Sequence, residues 1–227
     1  MRFILFSYYY PPDLSAGSFR AIALVNALSR EITDLDSLHI ITTHTNRYKD
    51  FRVKTEDFEK NKNVNIYRIK VPSSHGGIAF QAFSYLFYAL KSSMICFQIK
   101  PDFIIGTSSR LMTGVLSAFQ ACIYRCKYYL DIRDIFSESF SDIYFKNSKV
   151  MRSIFKKFFL VIEKNILSRA AGVNVVAKSF CEYFTINGLN TDQWSTYSNG
   201  VDEDFFNISL AKKKPHSGKV TVLYAGN

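Results

Sequence analysis

The sequence predicts an α/β domain of Rossmann type, a parallel sheet with helices on both faces. Three observations predict it. The first is the opening unit. Phe3 to Ser7 is a short apolar run of strand length, Tyr8 to Pro12 is irregular, Ser15 to Ser18 is a small-residue segment, and Phe19 to Arg30 reads as a helix. Strand, loop, glycine, helix is how an α/β nucleotide-type fold begins. The second is the alternation of short apolar runs with helical stretches down the rest of the chain. The third is composition. The 227 residues are 48% hydrophobic, which fills the core of one large domain, or one domain plus a fragment of another.

The remaining elements follow in order. Ser37 to Thr42 reads as a second strand, and Thr43 to Asn63 as a polar loop with room for a short helix. Val64 to Val71 reads as a third strand, ended by Pro72. After a flexible Ser73 to Gly77 comes an aromatic helix from Ile78 to Phe97. Phe103 to Gly106 is a strand, with Thr107 to Ser109 as candidate caps for a helix running to about Arg125. Lys127 to Ile132 is a strand, Ile135 to Asn147 is irregular, and Ser148 to Leu167 is a long helix. Gly172 to Val176, Ser179 to Asn187 and Trp194 to Ser198 read as strand, helix, strand. Residues 1–208 are then the first domain, 209–218 a Lys- and Pro-containing linker, and 219–227 the first strand of a second domain that this chain lacks.

Charge narrows the partners. There are 29 Lys and Arg against 19 Asp and Glu, a net charge of +10 that attracts polyanions such as nucleic acid, acidic lipid headgroups or nucleotide diphosphates. No nucleic-acid-binding motif accompanies the charge, so no nucleic-acid partner is expected. The four cysteines form no C-x-x-C pair, and Cys122 and Cys126, four apart, read as core-packing thiols in a reducing compartment. No metal site is expected. No signal peptide opens the chain, which fits a cytoplasmic protein. Ile78 to Phe97 approaches the length of a membrane span but contains Gln81, Lys91 and several serines, so it reads as a buried or membrane-surface helix.

The loop before the first helix is the leading candidate site. A helix N-terminus presents N–H groups and partial positive charge to an anion, and Gly17 lets backbone approach a phosphate closely. An ordinary strand-to-helix turn with one glycine explains the same residues. The loop lacks the G-x-G-x-x-G of a nicotinamide dehydrogenase, and no G-x-x-x-x-G-K-[ST] occurs. None of the four histidines sits in a nucleophile elbow.

Five short matches in the right order make the reading more specific. They are Tyr9 to Pro12 with Gly17 and Arg20; Tyr129-Leu130-Asp131-Ile132-Arg133-Asp134-Ile135-Phe136-Ser137-Glu138-Ser139; Glu163 with Ala170 to Val173 and Ser179; Ser198-Asn199-Gly200-Val201-Asp202 with Phe205; and Leu223 to Asn227. In these the chain resembles the N-terminal domain of family-four nucleotide-sugar glycosyltransferases of bacterial lipopolysaccharide and capsule synthesis. The resemblance implies one half of a GT-B architecture, with the acceptor held mainly by this domain and the nucleotide-sugar donor mainly by the missing one. It implies a retaining, metal-independent transferase without a cofactor, acting on a lipid-linked or glycan acceptor at the inner face of the plasma membrane. Gly17, Ser18 and Arg20 become the candidate donor-phosphate residues. Ala16-Gly17 departs from the two adjacent glycines of many members.

Arg133 and Asp134 are the candidate catalytic pair, because they follow a strand at its carboxyl end, where ligand-facing residues collect. Many relatives have His near Arg133. Arginine stays protonated and cannot be a base, but it can grip a phosphate bidentately. Asp134 can accept a hydrogen bond from the acceptor hydroxyl. A plain surface ion pair is the competing explanation. Arg152, Lys156 and Lys157 lie among phenylalanines on the long helix and are candidate contacts to the acceptor or to an anionic membrane surface. Lysines snorkelling from a core helix explain them equally. The alternative to a transferase is an inactive half-protein that binds only membrane or acceptor.

Overall fold

The computed structural model describes residues 1–44, 53–72, 77–108, 111–144 and 148–200. The proposed linker and second-domain strand lie outside the described residues, as do Val201 and Asp202.

Among the described residues, eight strands form one sheet. They are β1 (Arg2–Phe6), β2 (Ser37–Thr43), β3 (Phe58–Asn61), β4 (Val64–Ile69), β5 (Phe103–Ser108), β6 (Lys127–Ile132), β7 (Gly172–Val175) and β8 (Ser195–Thr196). The helices are α1 (Ala16–Glu31), α2 (Ile78–Ile99), α3 (Leu111–Tyr124), α4 (Phe136–Tyr144), α5 (Lys149–Ser168) and α6 (Lys178–Ile186). The spatial order is β3-β4-β2-β1-β5-β6-β7-β8, parallel throughout except for the antiparallel β3–β4 pair. Strand order therefore reverses at β1. The crevice beyond the carboxyl ends of β1 and its neighbours is where ligands bind such sheets.

The central strands read as near-continuous apolar runs because both faces are covered. Alternation divides them between two cores. Ile4, Phe6, Ile104, Leu130, Val173 and Val175 pack under α2, α3, α5 and α6. Leu5, Leu38, Ile40 and Ile105 face α1 through Ala21 and Val25. Fully buried Ile and Leu side chains each contribute roughly 1.5–3 kcal/mol. The covering is uneven: among the described helices, only α1 contributes buried residues to the second core.

The tyrosines after β1 close the first core. Tyr8 packs on Tyr9, Tyr85 and Tyr88, and its hydroxyl meets Ser84 Oγ at 2.9 Å. Tyr88 donates to the carbonyl of Ile41 at 2.7 Å. A stretch that reads as open loop is thus a buried plug joining α2 to the sheet.

Two segments depart from the sequence reading. The polar stretch before Val64 holds β3, a strand of low β propensity that forms because β4 offers it an edge. The two-residue connection places Lys62 at φ +50°, and Glu59 accepts from Arg68 Nε at 2.8 Å. The segment after Asp134 holds α4 and is not irregular. Its N-terminus is capped from 27 residues away: Glu163 Oε1 accepts from the N–H of Phe136 at 2.8 Å and of Ser137 at 3.4 Å. Cys122 also departs from expectation. It is exposed, and α3 ends at Tyr124, so Cys126 does not share its helical face.

Candidate functional site

The site grows from the end of β1. Ser7 Oγ donates to the carbonyl of Tyr9 at 2.7 Å, and Thr107 Oγ1, at the end of β5, lies 3.1 Å from Ser7 Oγ. Thr43 Oγ1 donates to the carbonyl of Tyr8 at 2.7 Å. Three strand ends thereby hold the loop that leads into α1. Ser15 caps α1, its side chain accepting from the N–H of Ser18 at 3.1 Å. The helix begins at Ala16, earlier than the sequence suggests, and so Gly17 and Ser18 form its first turn. Both are buried. The Ser18 hydroxyl is buried and has no hydrogen-bond partner among the described residues.

Arg133 reaches this turn from the end of β6. One Nη donates to the carbonyl of Ala16 at 3.0 Å, while Nε is buried and has no partner among the described residues. Burial pulls the Arg133 pKa down, since the charged form loses hydration, with Asp131 opposing that trend. Asp134 follows Arg133 with its side chain exposed. Partial desolvation of its carboxyl still pushes the pKa above the ordinary aspartate value, against the attraction of Arg133. The structure therefore brings Gly17, Ser18, Arg133 and the α1 N-terminus to one edge of the sheet. Unsatisfied donors and a helix N-terminus at one place are suited to an anion.

Arg20 lies one turn further along α1 and is held by protein groups. Its Nε and Nη2 meet the two carboxylate oxygens of Asp131, each at 2.7 Å. It also donates to the carbonyls of Tyr197 at 3.0 Å and Ser198 at 3.1 Å. Asn174 Nδ2 donates to Asp131 at 2.6 Å, and Asn174 Oδ1 accepts from the N–H of Tyr197 at 2.8 Å. This network ties α1 to β6, β7 and the chain leaving β8. Asn174 is missed by sequence reasoning. The signal is an amide inside the apolar run Gly172-Val173-Asn174-Val175, on the opposite face from its valine neighbours.

A cavity of about 740 Å³ lies beside this network. Its lining includes Leu24, Leu28, Phe103, Ile105 and Tyr129, with the polar side chains of Arg20 and Asn199. It follows the flank of α1 and does not include Arg133 or Asp134.

The α5 cations separate. Lys156 is ion-paired with Glu138 of α4 and lies 6.0 Å from the Tyr183 ring centroid, whereas Arg152 and Lys157 are exposed. Glu163 of the same helix is buried, 3% exposed, and its Oε2 has no partner among the described residues. Burial pushes the Glu163 pKa up, against the pull of the Ser137 and Phe136 donors. A raised carboxyl pKa favours the folded state while the group is protonated, and that contribution fades as pH rises through the folded pKa. Glu163→Gln keeps a carbonyl for the α4 cap and does not titrate. Thermal melts are expected to show the variant gaining on the wild type as pH rises above the ordinary glutamate range. Glu163→Ala, which loses the cap, is expected to cost about 1 kcal/mol. A gap between wild type and Gln that is flat with pH removes the assigned burial effect.

His44, at the end of β2, turns to a different partner set. Its Nε2 lies 2.8 Å from Asp57 and its Nδ1 2.8 Å from Thr55 Oγ1. His39 is half-buried on β2 against Tyr67.

Comparison with solved structures identifies the fold. Sucrose-phosphate synthase from Thermosynechococcus elongatus superposes with a TM-score of 0.64 over 89% of this chain at 12% sequence identity. The fold is that of one half of a GT-B glycosyltransferase. The chain spans about half of that synthase, 49% of its length. A shorter form of the same enzyme matches with a TM-score of 0.58, and 91% of it is covered. Anabaena HepE in complex with UDP-glucose is more distant, with a TM-score of 0.48 at 13% identity over 89% of this chain and 44% of HepE. No family model matches the sequence, and no curated protein matches it.

Proposed function

We propose that this chain is the acceptor-side half of a retaining, nucleotide-sugar-dependent glycosyltransferase that works without a metal. The acceptor is a lipid-linked or glycan intermediate of surface polysaccharide synthesis, met at the inner face of the plasma membrane. The observation that carries this is the meeting of the α1 N-terminus, Ser18 and Arg133 at the carboxyl ends of β1 and β6, inside a GT-B-type half. Gly17 and Ser18 face the departing diphosphate, and Arg133 adds a fixed positive charge to it. Asp134 accepts the hydrogen bond of the acceptor hydroxyl. Arg20 sets the position of the first turn through Asp131, and the cations Arg152 and Lys157 lie towards the lipid.

The test is transfer from a panel of radiolabelled nucleotide sugars to a polyprenyl-diphosphate-linked sugar acceptor, by this chain joined to a donor-binding half. Label is expected in the lipid-extracted product, and Asp134→Asn is expected to lower its rate about a hundredfold, the size of a lost proton acceptor. The wild-type rate is expected to fall on acidification at a pH above the ordinary aspartate range, because the accepting form of Asp134 is the carboxylate. Absence of product from every donor when a donor-binding half is supplied, or tight calorimetric binding of a UDP-sugar by this chain alone, overturns the reading. Acceptor binding without turnover favours the half-protein alternative.

A further inference from the structure

Three helices on one side of the sheet carry apolar stripes that point away from the core. On α2 the buried residues are Ser84, Tyr85, Tyr88, Ser92 and Cys96. Phe83, Leu86, Leu90, Met94 and Phe97 recur at spacings of three and four, and each is more than half exposed. That spacing puts them together on the face opposite the buried one. The same holds on α3 for Phe119 and Ile123, and on α5 for Ile154, Phe158 and Val161, again each more than half exposed. The helix α3 contacts both α2 and α5, so the stripes adjoin. Monomeric proteins rarely leave so extended an apolar surface to water.

Charge decides what covers it. Neither α2 nor α3 contains a carboxylate, and the single one in α5, Glu163, is buried. Exposed cations edge the surface instead: Lys91 on α2, and Lys149 and Lys157 on α5. The whole chain carries +10. A second copy docked patch to patch would set these cations against each other. An anionic lipid surface takes both the apolar stripes and the cations. Among the described residues no helix is long and apolar enough to cross a membrane, so contact is along the surface.

We infer that the outer face of α2, α3 and α5 is an interfacial membrane-docking surface, seated by its apolar stripes and selected for anionic lipid by Lys91, Lys149 and Lys157. Lys156, committed to Glu138, stands outside it. The N-termini of these helices lie at the same edge of the sheet as Arg133 and Asp134, because each follows or precedes a parallel strand. The seated face therefore brings that edge to the headgroup level. This rests on the membrane reading proposed above but is measured without donor or acceptor, so failure of transfer leaves it standing.

The experiment is co-sedimentation of the full chain with phosphatidylcholine vesicles, with and without 30 mol% phosphatidylglycerol. Binding is expected to the anionic vesicles and to weaken with salt. Leu90→Glu/Phe158→Glu, on two of the exposed stripes, is expected to lower vesicle affinity at least tenfold with an unchanged circular dichroism spectrum and melting temperature. Lys91→Gln/Lys157→Gln is expected to remove most of the preference for anionic lipid. Unaltered vesicle binding by the glutamate variant overturns the inference. So does a wild-type dimer by light scattering that the same variant dissolves while wild type fails to sediment with either vesicle.

Discussion

Replacing Arg20 with alanine is expected to cost about 3 kcal/mol of stability and to lower the melting temperature by about 10 °C, taking 2–4 °C per kcal/mol for a domain of this size. Asp131 is the reason. Its side chain is 5% exposed, and Arg20 supplies both of its charge-assisted contacts. Without the guanidinium, the buried carboxylate keeps, among the described residues, the hydrogen bond of the Asn174 amide and the more distant charge of Arg133. The backbone carbonyls of Tyr197 and Ser198 also lose their donors, so the end of β8 loosens with α1. Restoring neutrality separates the two contributions. Arg20→Ala/Asp131→Asn is expected to recover more than half of the loss, since asparagine carries no charge to bury. Equal melting temperatures for the single and double variants, or a loss below about 1 kcal/mol, would be the behaviour of an exposed pair and would remove Arg20 from the clamp.

Gly106→Ala is expected to destabilise by about 2 kcal/mol, the range for overpacking a filled core. A Cβ there would stand 2.3 Å from Ser117 Oγ, 3.1 Å from Ser117 Cβ and 3.0 Å from Leu130 Cδ2. Gly106 sits in β5 against Ser117 of α3. Ser117 cannot simply swing aside, because its hydroxyl donates to the carbonyl of Thr113 at 2.8 Å inside the same helix. Ser117→Gly on the Gly106→Ala background is expected to recover at least a third of the loss, measured by urea unfolding. No recovery would mean that the backbone, not this contact, sets the cost.

Much of the fold was legible because it is written in periodicity. The bounds of β6, Lys127 to Ile132, are those the sequence predicts, and the strand starting at Ser37 and the helix starting at Ile78 begin where the pattern says. Apolar runs of strand length between helical stretches leave little else for those residues to do. The failures were of another kind. The helix α4 has no capping residue at Ile135, and serines recur within it, so its own sequence argues for a loop. Its cap is a carboxylate on α5. The strand β3 exists only as a partner for the exposed edge of β4. Both elements owe their form to groups distant in sequence, which local propensity does not register.

The candidate site divides the same way. The order of its pieces and the place of Gly17, Arg133 and Asp134 after strand ends follow from sequence, since a parallel α/β sheet collects loops at its carboxyl edge. That Arg133 donates to the first turn of α1 and leaves its Nε buried with no partner among the described residues was decided by packing. So was the commitment of Arg20 to Asp131, and of Lys156 to Glu138. A sequence states which residues are charged. Only the tertiary structure states which charges have already found each other, because an ion pair depends on a separation of a few ångströms between groups up to 111 residues apart. By itself the sequence determined a basic, parallel α/β chain with an anion-suited opening turn. The structure decided which cations remain at the surface, and it turned the apolar faces of α2, α3 and α5 outward, because each helix has only one side to give to the sheet.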